Sequence, residues 1–211
     1  MIRHFFGVGP SPITGPIPAL MFLPQLIRPY RFSDSRGWLA EIYSEPVFAK
    51  LGIGCRFVQD NHSRSLSKYT LRGLHFQTPP RGQAKLVRCV RGAILDVIVD
   101  VRHDSPTFGE WIGTELSAEN GHQLFVPIGF AHGFLTLEDD CEVIYKCSDV
   151  YAPDHEGGIR WNDPAIGAGG IDWRIPPGIL PELSAKDAML PLLDEFDSPF
   201  AYDGRPLAPV A

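Results

Sequence analysis

The chain has 211 residues, of which 44% are hydrophobic and 21% are charged, an ordinary composition for one globular domain. Its formal net charge of -6 excludes a generally basic surface for nucleic acid, so an anionic ligand would need a local cluster of Arg and Lys. The 21 glycines and 20 prolines are spread along the chain and favour short elements joined by tight turns, which is typical of β structure.

The first segment, residues 1–21, contains no apolar run long enough for a signal peptide or a membrane span. We interpret it as an N-terminal arm or an extension outside the fold, with Met21 as an alternative start. Residues 22–190 are predicted to form a single domain and residues 191–211 a C-terminal tail.

A short helix is predicted between Ser44 and Gly52, because Ser44 is a typical N-cap, Pro46 suits the first turn and Gly52 suits the C-terminus. Further along, residues 94–101 show the period of two of a half-buried strand. Other short strands are predicted at 55–61, 71–77, 85–90, 111–116, 123–126, 133–137 and 142–148, and helix returns only after Ser184. About eight short strands separated by turns predict a mainly β fold with two sheets, a jelly roll or its near equivalent, a flattened barrel.

Strand alternation gives information about side-chain direction. Lys85 shares a face with Val87, and Tyr145 shares a face with Val143. If these apolar faces line the interior, one lysine and one tyrosine point into it. An isolated buried ammonium is costly unless it is paired or lies in a wet cavity, so an inward Lys85 indicates a functional site.

The four cysteines, at positions 55, 89, 141 and 147, form no CxxC pair and show no zinc-site spacing. Such cysteines are typical of small apolar residues in a reducing compartment, so we expect a cytoplasmic protein without disulfides.

A series of motifs runs in order through residues 29–187: NHSRS at 61–65, LRGLHFQ at 71–77, QAKLV at 83–87, SPTFG at 105–109, GFAHGF at 129–134, YAP at 151–153, WNDP at 161–164 and IDW at 171–173. Together they resemble the dTDP-4-dehydrorhamnose 3,5-epimerase family. The resemblance implies a cupin-type jelly roll, also called a double-stranded β-helix, with short flanking helices. It also implies an isomerase that converts dTDP-4-keto-6-deoxyglucose into dTDP-4-keto-L-rhamnose, with no bound cofactor and no metal.

The implied chemistry explains the residue types at the proposed centre. A ketone at C4 acidifies the protons on C3 and C5, so inversion needs a base on one face, an acid on the other and stabilisation of the enolate oxygen. By resemblance, His75 is the base and Tyr145 is the acid, while Lys85 stabilises the enolate oxygen. The structural alternatives are a hydrogen-bonded core histidine, a core tyrosine and a surface lysine.

Asp187 resembles the aspartate that orients the histidine of this family. Its alternative role is local, because Ser184 and Asp187 have the spacing of a capping box that opens a helix. Both roles hold together only if the carboxylate faces inward.

Eight further positions match substrate-binding positions of the family: Arg36, Glu41, Gln59, Asn61, Arg72, His132, Glu156 and Lys186. The cations Arg36, Arg72 and Lys186 suit a diphosphate, although each alone is more typical of a solvated surface charge. Arg72 has the opposite strand parity from His75, so both reach one ligand only if a bulge beside Gly73 shifts the alternation.

Departures from the family leave alternatives open. The segment 167–170 is about two residues longer than usual in the family. Metal-dependent cupins typically begin their ligand set with His-x-His, whereas Phe76 and Gln77 follow His75, so a cupin oxygenase is a distant alternative. Two nearer alternatives are a single-centre epimerase of a related nucleotide 4-keto-deoxysugar and a non-catalytic sugar-nucleotide-binding jelly roll.

As partners we expect a nucleotide sugar, with no nucleic acid and no membrane, and by resemblance a homodimer that exchanges an N-terminal strand.

Overall fold

A computed structural model describes residues 23–210, so the predicted arm at 1–21 lies outside the described residues. The strands are β1 (Gln25–Ile27), β2 (Phe32–Asp34), β3 (Gly37–Leu39), β4 (Gln59–Ser65), β5 (Leu71–Gln77), β6 (Lys85–Arg91), β7 (Ala93–Asp100), β8 (Trp111–Ser117), β9 (Gln123–Val126), β10 (Phe130–Thr136), β11 (Cys141–Cys147) and β12 (Glu156–Gly158). The helices are α1 (Glu45–Lys50) and α2 (Ala185–Ala188), with 3-10 turns at Pro153–His155 and Leu193–Glu195. In this part of the chain no helix has the length and apolar character needed to cross a membrane.

The strands form two five-stranded antiparallel sheets and a separate hairpin. The first sheet has the order β1-β9-β6-β11-β4, the second has the order β12-β5-β10-β7-β8, and β2 pairs with β3. Val87 and Cys89 of the first sheet share one buried cluster with Ile94 and Ile98 of the second, so the two sheets face each other. The predicted mainly β jelly roll is confirmed.

Strand β7 is more buried than its sequence pattern predicts, since all eight of its residues are buried. Its inner face, with Ile94 and Ile98, packs against the first sheet. Its outer face, with Leu95 and Val97, packs in a second cluster that includes Trp173 from the C-terminal part of the chain. The half-buried interpretation was therefore wrong, because a distant segment covers the face that alternation alone assigns to solvent.

Several predicted elements differ in their bounds from those observed; the strand predicted at 133–137, for example, is β10, which begins at Phe130. The strand predicted at 55–61 is β4, which runs instead from Gln59 to Ser65 because it pairs with β11 along its full length. The N-cap of α1 is Ser44, but its side chain makes no capping hydrogen bond. Its backbone carbonyl accepts from the N–H groups of Val47 and Phe48, and the helix buries Phe48.

A bulge in β5 places Arg72 and His75 on one face. His75 lies opposite His132 of β10, whereas Arg72 lies opposite Phe134, so β5 uses three steps where β10 uses two. Gly73 sits in the bulge with φ +131°, and a Cβ there would meet the Cα of Gly133 at 2.5 Å. The close approach of the two backbones explains why glycine occupies this position.

All four cysteines lie in the described part of the chain and are free. The Sγ of Cys89 contacts the carbonyls of Arg91 and Gly92, and burial raises its pKa to about 12. Such a thiol is unreactive and serves as a small apolar residue.

Candidate active site

A polar cleft opens between the two sheets and has two adjoining lobes. The first lobe has a volume of about 460 Å³ and the second about 310 Å³. Both are lined by four of the residues singled out in the sequence: His75, Lys85, Tyr145 and Glu156. The lobes therefore form one site, and the predicted base, acid and lysine all reach it.

His75 is held by a carboxylate on its outer side. Its Nε2 lies 2.7 Å from Oδ1 of Asp187, and the side chains of His75 and Asp187 are 28% and 6% exposed. The other carboxylate oxygen accepts from the N–H of Gly73 at 3.4 Å. Because Nε2 is engaged, the imidazole keeps Nδ1 for a ligand in the cleft.

Asp187 makes both of the contacts that its sequence position offered. Its backbone N–H donates to Oγ of Ser184 at 3.0 Å, which caps α2, while its carboxylate faces inward to His75. Burial on its own would raise the pKa of Asp187, but the hydrogen bonds from His75, Gly73 and Ser184 outweigh it and hold that pKa below its usual value. The carboxylate therefore stays ionised beside the imidazole.

Lys85 reaches across from the facing sheet. It lies on β6, and its Nζ donates to the backbone carbonyl of His75 at 3.5 Å. Burial lowers the pKa of Lys85, while the nearby Cys147, Asp96 and Glu156 oppose the shift. Within residues 23–210 no carboxylate forms a direct ion pair with it. A partly buried ammonium without a carboxylate partner is suited to stabilise a developing negative charge.

Tyr145 lies on β11 of the first sheet, where it is cross-strand from Val87 on one side and Asn61 on the other. Burial raises the pKa of Tyr145, which a hydrogen bond with Asn61 partly opposes, so its hydroxyl carries a proton at neutral pH. His75 belongs to the second sheet. The cleft thus has a proton acceptor on one wall and a proton donor on the opposite wall.

Six of the eight predicted binding residues line this cleft. Gln59, Asn61 and Glu156 line the first lobe, while Arg72, His132 and Lys186 line the second with Glu156.

Two of these binding residues, Glu156 and Arg72, are charged and have defined partners at the cleft. Glu156 forms an ion pair with Lys186 and accepts from the hydroxyl of Tyr151 at 2.8 Å. Arg72 donates from Nε to Oγ of Ser65 at 3.1 Å and remains exposed.

The structure does not bring Arg36 and Glu41 into the cleft of the same chain. Arg36 lies at the tip of the β2–β3 hairpin, fully exposed, and pairs with Asp34. Glu41 follows the hairpin and is also exposed. Neither residue lines either lobe.

Sequence reasoning did not assign three residues that the structure places in or behind the site. Tyr151 lines the first lobe and is 54% exposed, and it had appeared only as part of a motif. Gln77 shares the inward parity of His75, which was a usable signal. Asp96 lies behind the second lobe, hydrogen-bonded to His132, and the signal for it was a charged residue within the apolar run of β7.

His75 and His132 line the same lobe, but the histidines of residues 23–210 do not form a metal-ligand cluster. Across residues 23–210 no three His, Cys, Asp or Glu side chains lie close enough to hold a metal ion. His62 pairs with Glu142, His132 with Asp96, and His155 lies near Thr78.

The sequence of the chain is similar to those of known epimerases. A sequence model of the dTDP-4-dehydrorhamnose 3,5-epimerase family matches residues 24–195. The dTDP-4-dehydrorhamnose 3,5-epimerase of Salmonella typhimurium is 53% identical over 171 residues, which cover 81% of this chain and 90% of that protein.

Two solved structures are each similar over about four fifths of the chain. The dTDP-4-dehydrorhamnose 3,5-epimerase from Bacillus anthracis, solved with TDP and PPi bound, has a TM-score of 0.75 and 48% identity, covering 80% of this chain and 93% of that chain. The dTDP-6-deoxy-D-glucose-3,5-epimerase from Legionella pneumophila, in complex with dTDP-4-keto-L-rhamnose, has a TM-score of 0.76 and 43% identity, covering 82% and 89%.

Proposed function

The chain belongs to the dTDP-4-dehydrorhamnose 3,5-epimerase family, and from this premise we propose that His75, Tyr145 and Lys85 epimerise C3 and C5 of dTDP-4-keto-6-deoxyglucose. The protein is accordingly an isomerase. The observation that carries the assignment of roles is that His75 and Tyr145 reach one cleft from opposite sheets, with Lys85 beside them.

The reaction needs one proton to leave and another to arrive on the opposite face. Nδ1 of His75 takes the proton from the carbon next to the ketone, and the electrons of that C–H bond form the C=C bond of an enolate. Lys85 stabilises the negative oxygen, and Asp187 stabilises the imidazolium. Tyr145 then donates its phenolic proton to the other face of the same carbon, and proton exchange with solvent restores both groups. Repetition at the second carbon completes the double inversion.

The remaining groups of the cleft suit a nucleotide sugar. Arg72 and Lys186 supply positive charge for the diphosphate from the second lobe. Gln59 and Asn61 offer amide groups in the first lobe, where Tyr151 presents an aromatic ring suited to stacking on a base. His132 is a further contact for the sugar, and Glu156 orients Lys186 and Tyr151.

A second copy of the chain gives Arg36 and Glu41 a role. The hairpin that precedes Glu41 exposes Phe32, Trp38 and Leu39, an apolar surface of the kind that mediates association. We propose a homodimer in which this hairpin contacts the partner and brings Arg36 and Glu41 towards the partner's site. Trp38→Glu should shift sedimentation from dimer to monomer, and an unchanged sedimentation coefficient would exclude this surface.

The free thiols of the chain bear on where in the cell the protein acts. Cys89, Cys141 and Cys147 are buried and free, which suits reducing conditions, and we propose that the protein acts in the cytoplasm.

Isotope exchange tests the proposed function. The protein is incubated with dTDP-4-keto-6-deoxyglucose in D2O with a chelator, and C3 and C5 are followed by NMR. Deuterium at both carbons with inversion supports the double epimerase. Deuterium at one carbon only would assign the single-centre alternative, and absence of exchange would leave a binding protein.

A further inference from the structure

A second aspartate is buried behind the site without a cation in contact. Asp96 lies on β7 with its side chain 0% exposed, where an unpaired carboxylate is costly. Its two oxygens lie 2.9 and 3.1 Å from Nε2 of His132, whose side chain is 7% exposed. Within the described residues no lysine or arginine forms an ion pair with Asp96. Among the described residues, the only ion-pair partner of Asp96 is therefore the imidazole of His132.

Within residues 23–210, Lys85 is a cation without a carboxylate partner, just as Asp96 is a carboxylate without a lysine or arginine partner. It is a partly buried cation whose hydrogen bond goes to a carbonyl rather than to a carboxylate. The other carboxylates at the cleft are occupied, since Asp187 binds His75 and Glu156 binds Lys186. Asp96 and Lys85 are thus opposite charges, the first buried and the second partly buried, and Asp96 is close enough to act electrostatically on Lys85.

His132 lies between them in the structure. It lines the second lobe together with Lys85, and on β10 it is cross-strand from His75. Asp96 is cross-strand from Phe134, two residues along β10, so it reaches His132 diagonally on the inner face of the sheet. Because both oxygens of Asp96 contact Nε2, the Nδ1 of His132 is the nitrogen left towards the cleft.

The protonation state of His132 follows from its surroundings. Burial lowers the pKa of His132, and the charges of Lys85 and His75 lower it further, against the opposing effect of Asp96. A neutral ring with a proton on Nε2 does not cancel the charge of Asp96 but donates a hydrogen bond to it. The negative charge therefore remains available to act on Lys85.

We propose that Asp96 is a positioning residue of this site: through His132 it supplies the counter-charge that keeps Lys85 an ammonium beside the substrate carbonyl. The inference rests on the proposed function, because it assigns a purpose to the charge of Lys85. Without Asp96 the cleft would still bind the sugar, but a smaller fraction of the protein would carry the ammonium that stabilises the enolate.

The pH dependence of kcat/KM tests this role. The groups that face Lys85 are His75 from β5, Asp96 from β7, His132 from β10, Tyr145 and Cys147 from β11, and Glu156 from β12. Loss of activity at high pH reports deprotonation of Lys85, whose pKa burial lowers, before that of Tyr145, whose pKa burial raises. Removing a nearby negative charge disfavours the ammonium, so Asp96→Asn should move the alkaline limb to lower pH by about 1 unit or more.

The matched control is Glu115→Gln, which removes a half-exposed carboxylate from the neighbouring strand β8. It should leave the alkaline limb where it is. An Asp96→Asn enzyme whose alkaline limb does not move, or moves no further than that of Glu115→Gln, would overturn the proposal even if its maximal rate fell.

A measurement on the unaltered protein covers the case in which Asp96→Asn does not fold. ¹⁵N NMR of the imidazoles should show His132 as a neutral ring protonated at Nε2 from pH 5 to 9. A ring that gains a second proton in this range would overturn the proposal, because an imidazolium would itself neutralise Asp96. This result is independent of substrate turnover, whereas absence of C3 and C5 exchange in the unaltered protein would refute the proposed function instead.

Discussion

Two histidines of the second sheet, His75 and His132, each pair with an aspartate, and the two pairs differ mainly in exposure. His75 is 28% exposed and receives Asp187 from a helix outside the sheet, whereas His132 and Asp96 are 7% and 0% exposed within it. In both pairs Nε2 contacts the carboxylate. The contrast suits the two proposed roles: the more accessible imidazole of His75 can accept a proton and pass it on, while the nearly buried pair of His132 and Asp96 holds a negative charge near Lys85.

Replacing the accessible histidine should have the largest effect. His75→Asn removes the group that takes the proton, so exchange of deuterium into C3 and C5 should fall by about 10²–10⁴-fold. The exposed His103, which pairs with Asp104, gives the matched control His103→Asn. Exchange by His75→Asn within a few-fold of the unaltered rate, measured by NMR in D2O on protein with unchanged circular dichroism, would remove His75 as the base.

Removing the phenol hydroxyl of Tyr145 should affect inversion more than deuterium exchange. Tyr145→Phe loses the donor on the far wall but keeps His75, so inversion should fall by about 10²-fold while exchange falls less. Comparing product formation with deuterium uptake in one NMR experiment measures the difference. Equal losses in both would show that Tyr145 acts in proton abstraction as well, and Tyr43→Phe, outside the cleft, serves as control.

Substrate binding should be affected more moderately. Lys186 carries a charge at the rim of the second lobe, so Lys186→Ala should raise KM about 10-fold and change kcat less. Lys146→Ala is the matched control, because Lys146 pairs with Asp60 and does not line either lobe. A fall in kcat at unchanged KM would place Lys186 in the chemical step instead.

The smallest expected effect concerns stability in acid. The pKa of Asp187 in the folded protein lies below its usual value of 3.8, so its carboxylate stabilises the fold above that value, and this contribution is lost as pH falls through the lowered pKa. The difference in urea midpoint between the unaltered protein and Asp187→Asn should therefore be larger at pH 6 than at pH 3. A difference that does not change with pH would mean that the charge of Asp187 does not contribute.

Local patterns predicted most of the fold because turns and alternation are encoded locally. The strands predicted at 71–77 and 123–126 have the observed bounds of β5 and β9. Pairing with a distant strand decided the cases that failed: β11 fixes where β4 begins, and the C-terminal part of the chain buries the outer face of β7.

The family resemblance predicted most residues of the site, and strand parity supported it at two of them. Lys85 and Tyr145 had the inward parity that the structure shows, whereas Arg72 needed a bulge that strand alternation cannot specify. Asp187 lies 112 residues from His75, and nothing local indicates that contact. Asp96 lies 36 residues from His132 on a neighbouring strand, yet its role depends on a charge in the facing sheet.

A crystal structure of the His75→Asn variant with dTDP-4-keto-6-deoxyglucose tests the central claim most directly. We predict that the sugar ring lies between Asn at position 75 and Tyr145, with its C4 oxygen about 3 Å from Nζ of Lys85. A ring with both side chains on the same face, or a carbonyl directed away from Lys85, would contradict the account.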